Sequence, residues 1–432
     1  MKSPKVRAVV RCLAALATVA SLSRVPAAEA CLGDCNDDGR VAINELVHGV
    51  NIALNNAGAS ACPTLDRNHN GQVSVDELVA AVARALNGCG SAQESQAFVV
   101  ATDFETGSFA TITLDTPRVI EPASASRRIS SDATARAYSG LVYIINRFGG
   151  DSVQVLDPAT QFSTTVQCST GSRSNPHDIA FVDANKAYVT LSDRTDLLII
   201  DPSPAADCSD FVRGSIDLAG FADADGFPEM DQMAIVGDRL YASLQHLDRN
   251  NSFVPAGRGS VAVIDLATDT VVGEITLTGE NPFGATKGLT AVGEALLIPE
   301  AGRFGANDGG IERVDLASME AEGFFITEAQ LGGDVADLVM VSNSSAYAVV
   351  SHADFTNSLV AFDPITGTVT NRFLEGNGYL ADAELNDRGE LFVADRTATR
   401  PGIRILRASN GSELTEAPLD TGLPPFEIVF LR

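Results

Sequence analysis

A three-part phrase recurs along most of this 432-residue chain, at intervals of roughly 44–56 residues. Each phrase opens with a short apolar stretch and continues with a second strand that ends in a polar turn. The apolar stretches begin near Ala97, Val142, Ala187, Leu240, Leu296, Ala346 and Leu391. The turns read ITLDT at 112, VLDPAT at 155, IIDPSP at 199, VIDLAT at 263, RVDLAS at 313, AFDPIT at 361 and ILRASN at 405. We expect the aspartate in most of them to cap and close the turn.

Repeats of this length, with about four strands each, predict an all-β propeller over 97–432. Seven phrases predict seven blades, with six or eight as the alternatives. The first phrase has no clear strand before Ala97, and the C-terminal sequence FEIVFL at 426 has no partner in its own phrase. We expect this last strand to complete the first blade, because closing the ring removes an exposed strand edge.

The repeated phrase resembles YVTN-type and lactonase-like propellers. The resemblance implies the fold but no single reaction, because such families include lactonases, lyases, dehydrogenase subunits and plain binding scaffolds. The chain contains no haem-attachment motif, no G-x-S-x-G elbow and no phosphate loop in the appropriate context. Tryptophan is absent and aromatic residues make up only 6%, which disfavours a sugar-binding platform.

Two twelve-residue segments near the N-terminus, DCNDDGRVAINE (34–45) and DRNHNGQVSVDE (66–77), both fit the calcium-loop pattern D-x-[DN]-x-[DN]-G-x5-E. This spacing places hard oxygen ligands around the ion and a glycine at the sharp turn. The predicted ligands are Asp34, Asn36, Asp38, the Arg40 carbonyl and Glu45, then Asp66, Asn68, Asn70, the Gln72 carbonyl and Glu77. We therefore predict two calcium ions; the alternative is an acidic turn that caps a helix.

A helix is expected after each loop, and the two helices are expected to pack together. The apolar positions predicted to form their buried faces are Leu46, Val50 and Leu54, then Leu78, Val82 and Leu86. This loop–helix–loop–helix order over 31–89 resembles a dockerin, which implies calcium binding and a cohesin-type protein partner. Both loops end in Glu, and positions 43–44 and 75–76 lack the Ser and Thr of dockerins. These departures affect the expected recognition of a cohesin more than the expected binding of calcium.

The N-terminus predicts export. Residues 1–30 combine a basic start, an apolar run from Leu13 to Leu22 and a small-residue cleavage site, so we place the mature start at Cys31 and disfavour a lipoprotein anchor there. No later stretch is apolar for long enough to span a membrane. A polar linker covers 90–96. The formal net charge of −26 argues against a nucleic-acid partner.

The cysteine pattern agrees with an oxidising compartment. Four cysteines crowd the first unit, namely Cys31, Cys35, Cys62 and Cys89, and they allow three pairings that the sequence leaves open. Cys168 and Cys208 form the natural remaining pair. A zinc site is the competing interpretation, but the spacing of Cys31 and Cys35 has no matching second pair.

In a propeller, the start of each inner strand and the end of the next strand converge on a central funnel. Residues at these places are Arg147, His177, Asp193, Asp231, His246, Lys287, Glu300, His352 and Asp395. The catalytic candidates among them are His177, His246, His352 and Glu300, as a metal or acid–base site. The alternative is a solvated channel lined by loop residues.

Together these features predict a secreted, calcium-binding protein whose propeller presents a surface for a small-molecule or protein ligand. An extracellular lactonase-like hydrolase or lyase is the first alternative. A dockerin-type component of a cell-surface assembly is the second.

Overall fold

A computed structural model describes residues 32–35, 41–54, 56–58, 61–65, 72–74, 77–78, 81–82, 85, 94–204, 207–284 and 288–432. The chain divides into two compact units, Met1–Ser91 and Ala92–Arg432. Among the described residues, no helix is long and apolar enough to cross a bilayer. The predicted signal sequence, Cys31 and Cys89 lie outside the described residues.

The second unit is a β-propeller with seven blades in the described part of the chain. Blade 1 contains β1 (Gln96–Thr102), β2 (Gly107–Thr113), β3 (Ile120–Glu121) and β4 (Arg128–Ile129). Blade 2 contains β5 (Ala133–Tyr138), β6 (Leu141–Asn146), β7 (Ser152–Asp157) and β8 (Ser163–Ser169). Blade 3 contains β9 (Pro176–Asp183), β10 (Lys186–Leu191), β11 (Asp196–Ile200) and β12 (Val212–Asp217).

Blade 4 contains β13 (Met230–Val236), β14 (Arg239–Leu244), β17 (Arg258–Asp265) and β18 (Thr270–Glu280), with a small hairpin of β15 (Leu247–Asp248) and β16 (Val254–Pro255). Blade 5 contains β19 (Thr290–Val292), β20 (Ala295–Glu300), β21 (Gly310–Asp315) and β22 (Glu320–Thr327). Blade 6 contains β23 (Asp334–Ser342), β24 (Ser345–Ser351), β25 (Asn357–Asp363) and β26 (Thr368–Asn377). Blade 7 contains β27 (Leu380–Leu385), β28 (Glu390–Asp395) and β29 (Gly402–Arg407). The α-helices that the structure describes are α1 (Ile43–Ala53), α2 (Cys208–Phe211) and α3 (Glu328–Leu331).

The last strand, β30 (Pro425–Leu431), closes the ring. It pairs antiparallel with β1 as the innermost strand of blade 1, so the C-terminus completes the blade that the N-terminal side begins. The inner strands contact one another in order from β30 through β5, β9 and β13 to β19, and from β23 through β27 back to β30; between blades 5 and 6, β23 contacts β20. This arrangement confirms the predicted seven blades and the predicted closing strand.

The second strand of each blade is almost wholly apolar, and it packs against the neighbouring blades. Tyr143, Tyr188, Tyr241 and Tyr347 occupy matching places in four of these strands and are buried. The Tyr143 hydroxyl donates to the Pro202 carbonyl, and that of Tyr347 donates to the Ala408 carbonyl. Each bond reaches a turn in the next blade, so the repeated aromatic position ties neighbouring blades together at its polar end.

The aspartates of the recurring turns have the structural role expected of them. Asp157 accepts the backbone N–H of Ala159 and caps a 3-10 turn, Pro158–Thr160. Asp265 accepts the N–H and hydroxyl groups of Thr268, and these hydrogen bonds lower the pKa of its carboxyl group. These residues therefore shape the turns of the scaffold.

The described part of the first unit has a small apolar core of Ile52, Cys62, Leu65, Val73 and Ala81. A disulfide joins Cys35 to Cys62, with a Cα–Cα distance of 4.8 Å. In the propeller, Cys168 and Cys208 are joined as predicted. A Cβ atom added to Gly49 would lie 2.8 Å from a Leu78 methyl group, so α1 passes very close to that residue.

The predicted apolar face of α1 is wrong in part. Val50 is 46% exposed and Leu54 is 64% exposed. The buried face of α1 instead contains Glu45, Gly49 and Ile52. The Glu45 carboxylate accepts hydrogen bonds from the backbone N–H groups of the loop before the helix, which turns this face inward.

Candidate functional site at the propeller mouth

In every blade, the start of the inner strand pairs with the end of the second strand. These meeting points define one edge of the ring, which we call the mouth. The pairs are Pro425 with Ala101, Ala133 with Asn146, Pro176 with Leu191, Met230 with Leu244, Pro282 with Glu300, Asp334 with Ser351, and Leu380 with Asp395. The described residues predicted for the funnel lie at these meeting points or within two residues of them.

Buried carboxylates near the mouth tie four of the seven inner strands to the next one. Each accepts a backbone N–H from the following blade at 2.7–3.0 Å: Asp178 from Met233, Asp337 from Ala383, and Asp382 from Ile428. The Glu427 carboxylate accepts the N–H of Ala135 in the same way. Because the strands that supply these donors lie in different blades, we call these acids the inter-blade carboxylates, and their role is structural.

Arg136 neutralises part of this acidic ring. Its guanidinium lies 2.8 Å from Asp178 and 2.6 Å from Glu427, and it donates to the Gln232 side chain. Burial opposes the charged form of Arg136, but Asp178 and Glu427 outweigh it and raise the pKa. The charged guanidinium therefore braces blade 2 against blades 1, 3 and 4, and its donors are already occupied.

The three candidate histidines have separate partners. His177 Nδ1 lies 2.8 Å from Asp231 Oδ1. His246 Nδ1 lies 2.9 Å from the Arg258 carbonyl, and its Nε2 has no hydrogen-bond partner. His352 bonds the Gly332 carbonyl and the Ser358 hydroxyl, each at 2.9 Å. No hydrogen bond joins two of the three, so these bonds give them no common ligand position.

Glu300 lies at the mouth edge of β20 but is fully buried. No donor reaches either carboxylate oxygen with hydrogen-bond geometry. Burial, followed by the neighbouring carboxyl of Glu312, raises the pKa of Glu300 well above its usual range. Glu300 is therefore inaccessible to a ligand in the funnel, and the pair with Glu312 is a feature of the blade 4–blade 5 contact.

Several other predicted mouth residues are engaged in ion pairs. Asp193 lies 2.8 Å from Arg249, and Asp395 lies 2.7 Å from Arg404. Lys287 lies outside the described residues. These pairs neutralise the acids locally.

Among the described residues, one group of three acids brings its ligand atoms within 4.8 Å of one another, namely Asp223, Asp225 and Glu229. The Arg249 guanidinium lies 2.6 Å from Glu229 and already compensates much of its charge. Burial still raises the Glu229 pKa to about 7. The group contains none of the histidines predicted for the funnel.

A cluster of arginine and aromatic side chains, which we call the Arg396 cluster, occupies the mouth where blades 7, 1 and 2 meet. The Arg396 guanidinium carbon lies 4.5 Å from the Phe104 ring centroid, 5.6 Å from that of Tyr379 and 5.7 Å from that of Phe426. Arg147 approaches the same Phe426 ring at 5.6 Å. Two guanidinium groups therefore lie close to one aromatic ring, an arrangement that benefits from cation–π attraction.

The sequence-based reasoning named Arg147 but missed Arg396 and its rings. A signal was present: Arg147 and Arg396 each come directly after the last residue of a second strand, β6 and β28. Residues at the same repeat position lie on the same edge of the ring. The rings were missed because they come from different parts of the phrase, in loops and in the closing strand.

In the first unit, the described calcium-ligand candidates are Asp34, Glu45, Gln72 and Glu77. The carboxylates of Asp34, Glu45 and Glu77 are buried. The remaining candidates, Asn36, Asp38, Arg40, Asp66, Asn68 and Asn70, lie outside the described residues.

No family model and no curated protein matches the chain. Among solved structures, a functionally unknown protein from Desulfotomaculum acetoxidans is similar with a TM-score of 0.52 and 14% identity, over 78% of this chain and 99% of that one. Dihydro-heme d1 dehydrogenase NirN scores 0.49 at 15% identity over 83% and 86%. Citrobacter koseri AztD scores 0.46 at 11% identity over 78% and 98%. At these identities, the first similarity shows the propeller fold alone.

Proposed function

We propose that this chain is an exported protein in which a calcium-binding N-terminal module carries a ligand-binding propeller. The observation that carries the proposal is the burial of three carboxylates, those of Asp34, Glu45 and Glu77, in the small first unit. Buried carboxylates need hydrogen bonds, a counter-charge or a metal ion. Calcium supplies a counter-charge that suits a donor set made of oxygens.

The two loops close in the same way on their last residue. Glu45 accepts the Ala42 N–H at 2.8 Å, and Glu77 accepts the Ser74 N–H at 2.9 Å. Val41 and Val73, which precede these donors, are both buried. The contact from loop position 9 to position 12 also occurs in a helix capping box, so it supports loop closure without requiring an ion. In the calcium-bound module, Asp34 and Glu45 would hold one ion and Glu77 would hold the other.

Calcium titration of the purified protein tests the module. We expect two binding events in the wild type, and the loss of one in each of Glu45→Gln and Glu77→Gln, because each change removes the ligand that closes one loop. Glu416→Gln, at an exposed position of the propeller, is the matched control and should retain both. Two remaining sites in the Glu45→Gln, Glu77→Gln double variant would refute the ligand assignment.

A protein partner for the module is favoured by the outer surface of α1. Four apolar side chains on this helix are exposed, and their spacing puts them along one stripe: Ile43, Val47, Val50 and Leu54. We propose that a cohesin-type partner covers this stripe. Val47→Asp should abolish calcium-dependent capture by a cohesin domain while calcium binding is unchanged. Capture that ignores calcium, or none by the wild type, would remove the dockerin-type role.

A further inference from the structure

The ligand class of the propeller follows from the Arg396 cluster, and this inference rests on the ligand-binding role proposed above. We propose that the propeller mouth binds a small planar organic anion, an aromatic carboxylate, with its charge on Arg396 and its ring among Phe104, Tyr379 and Phe426. The cluster draws these side chains from blades 7 and 1, with Arg147 from blade 2 beside them.

The first argument is the state of the Arg396 donors. Nη1 donates to the Pro424 and Pro425 carbonyls at 3.2 and 3.1 Å. Nε and Nη2 have no hydrogen-bond partner among the described residues, and neither is among the fully buried unpaired atoms. In its structural role Arg396 therefore uses only Nη1, and its Nε and Nη2 remain open to a ligand. A carboxylate matches two guanidinium donors side by side.

The second argument is charge. In the described part of the chain, no carboxylate lies within ion-pair distance of Arg396, whereas other partly buried arginines have one, namely Arg118, Arg136, Arg249 and Arg404. Asp103 is the nearby acid, but its carboxylate accepts the N–H groups of Glu105 and Thr106. Burial lowers the pKa of Arg396, which is the expected effect on a cation that lacks a counter-ion. Arg147, by contrast, is paired with Asp132, whose carboxylate accepts from its Nε and its Nη2.

The third argument is the exposed aromatic surface. Phe104 is 59% exposed although its ring lies against Arg396 and Phe426. Phe148, next to Arg147, is 73% exposed. Aromatic rings beside an open guanidinium offer a stacking surface to a flat ligand and a charge partner to its carboxylate. A neutral aromatic ligand would use only the stacking surface, and an inorganic anion would use only the guanidinium.

Fluorine NMR of 4-fluorobenzoate with the full protein tests the inference. We expect saturable line broadening in the wild type, and an affinity at least about tenfold weaker in Arg396→Gln, because one charged hydrogen-bonding group is lost. 4-Fluorobenzamide, the neutral analogue, and inorganic phosphate should compete weakly. Phe104→Ala should weaken binding severalfold at a position exposed enough to leave the fold intact.

Arg118→Gln is the matched control. Arg118 also lies over a phenylalanine ring, that of Phe392 at 5.4 Å. It is paired with Glu390, however, and it lies at the edge of the propeller opposite the mouth. This variant should bind 4-fluorobenzoate like the wild type.

Wild-type affinity in Arg396→Gln, equal binding of the benzamide, or no binding of 4-fluorobenzoate at about 10 mM would each overturn the inference. Calcium titration of the same samples reports separately on the module. If the protein does not bind the anion but still shows two calcium-binding events, the proposed anion site is wrong and the calcium-binding module is unaffected.

Discussion

Each of the two units of this protein is stabilised in a different way. The described core of the first unit contains five buried apolar residues and a disulfide, and three carboxylates are buried with it. The propeller has several apolar clusters between adjacent blades, and its strands form a closed ring. A small unit cannot bury enough surface to be stable by packing alone, whereas a ring of blades can.

Buried acids show the same contrast. In the propeller, Asp178, Asp337 and Asp382 accept backbone donors from the next blade, over long sequence separations. In the first unit, Glu45 and Glu77 accept donors from their own loops. The acids that bridge blades have a structural role, while Glu45 and Glu77 close the two loops in which we propose that calcium binds. Burial alone does not distinguish these roles; the origin of the donors does.

Removing the closing strand, residues 425–432, should have the largest effect. Phe426, Ile428, Val429 and Leu431 are buried, and the loss of four such side chains costs roughly 6–12 kcal/mol, comparable to the whole stability of a domain. We expect no cooperative unfolding transition for the propeller by circular dichroism. Deletion of Arg432 alone is the control, and a normal transition in the longer truncation would show that ring closure is dispensable.

Replacing each disulfide in turn separates the two units. Cys35→Ser with Cys62→Ser should cost about 3 kcal/mol and unfold the first unit, especially with a chelator present. Hydrogen exchange of α1 would then become fast while the propeller strands stay protected. The matched variant, Cys168→Ser with Cys208→Ser, should lower the propeller Tm without unfolding it. Joint melting of both units in the first variant would contradict independent stabilisation.

Asp382→Ala tests an inter-blade carboxylate. The change leaves the buried Ile428 N–H without its acceptor and should destabilise the propeller by about 1–3 kcal/mol. Thermal unfolding measures the shift in Tm. Asp420→Ala is the control, since Asp420 is exposed and accepts a donor within its own turn. Equal Tm values for the two variants would remove the inter-blade role.

Glu300→Gln should have the smallest effect, visible as a change in pH dependence. Because the folded pKa of Glu300 is raised above its ordinary 4.5, the folded state binds the extra proton. The stabilisation that comes from protonated Glu300 is complete below pH 4.5 and is lost as the pH rises through the folded-state pKa of this group. Glutamine mimics the protonated form, so the variant should show a flatter Tm profile above pH 4.5. Glu375→Gln, at an exposed position, should follow the wild type.

The propeller was predictable from the sequence because each blade repeats the same local pattern. The alternation of apolar strands with Asp-containing turns fixes strand position, and the unpaired FEIVFL points to closure. The Cys168–Cys208 disulfide was predictable because the propeller sequence contains no other cysteine.

The buried face of α1 was not predictable, because two apolar stripes compete on it. Val50 and Leu54 belong to one stripe, and Gly49 and Ile52 to the other. Local periodicity does not choose between them; the choice follows from the close approach of Leu78 and Leu65 to Gly49. The Arg396 cluster escaped prediction for a similar reason, since its members meet only after the ring has closed.

Because β1 depends on β30 for its inner partner, blade 1 stays incomplete while the chain is being synthesised, until Leu431 has left the ribosome. The same dependence leaves the growing polypeptide with an open, aggregation-prone edge for nearly its whole synthesis, so holding factors should matter most for this protein before its last residues emerge.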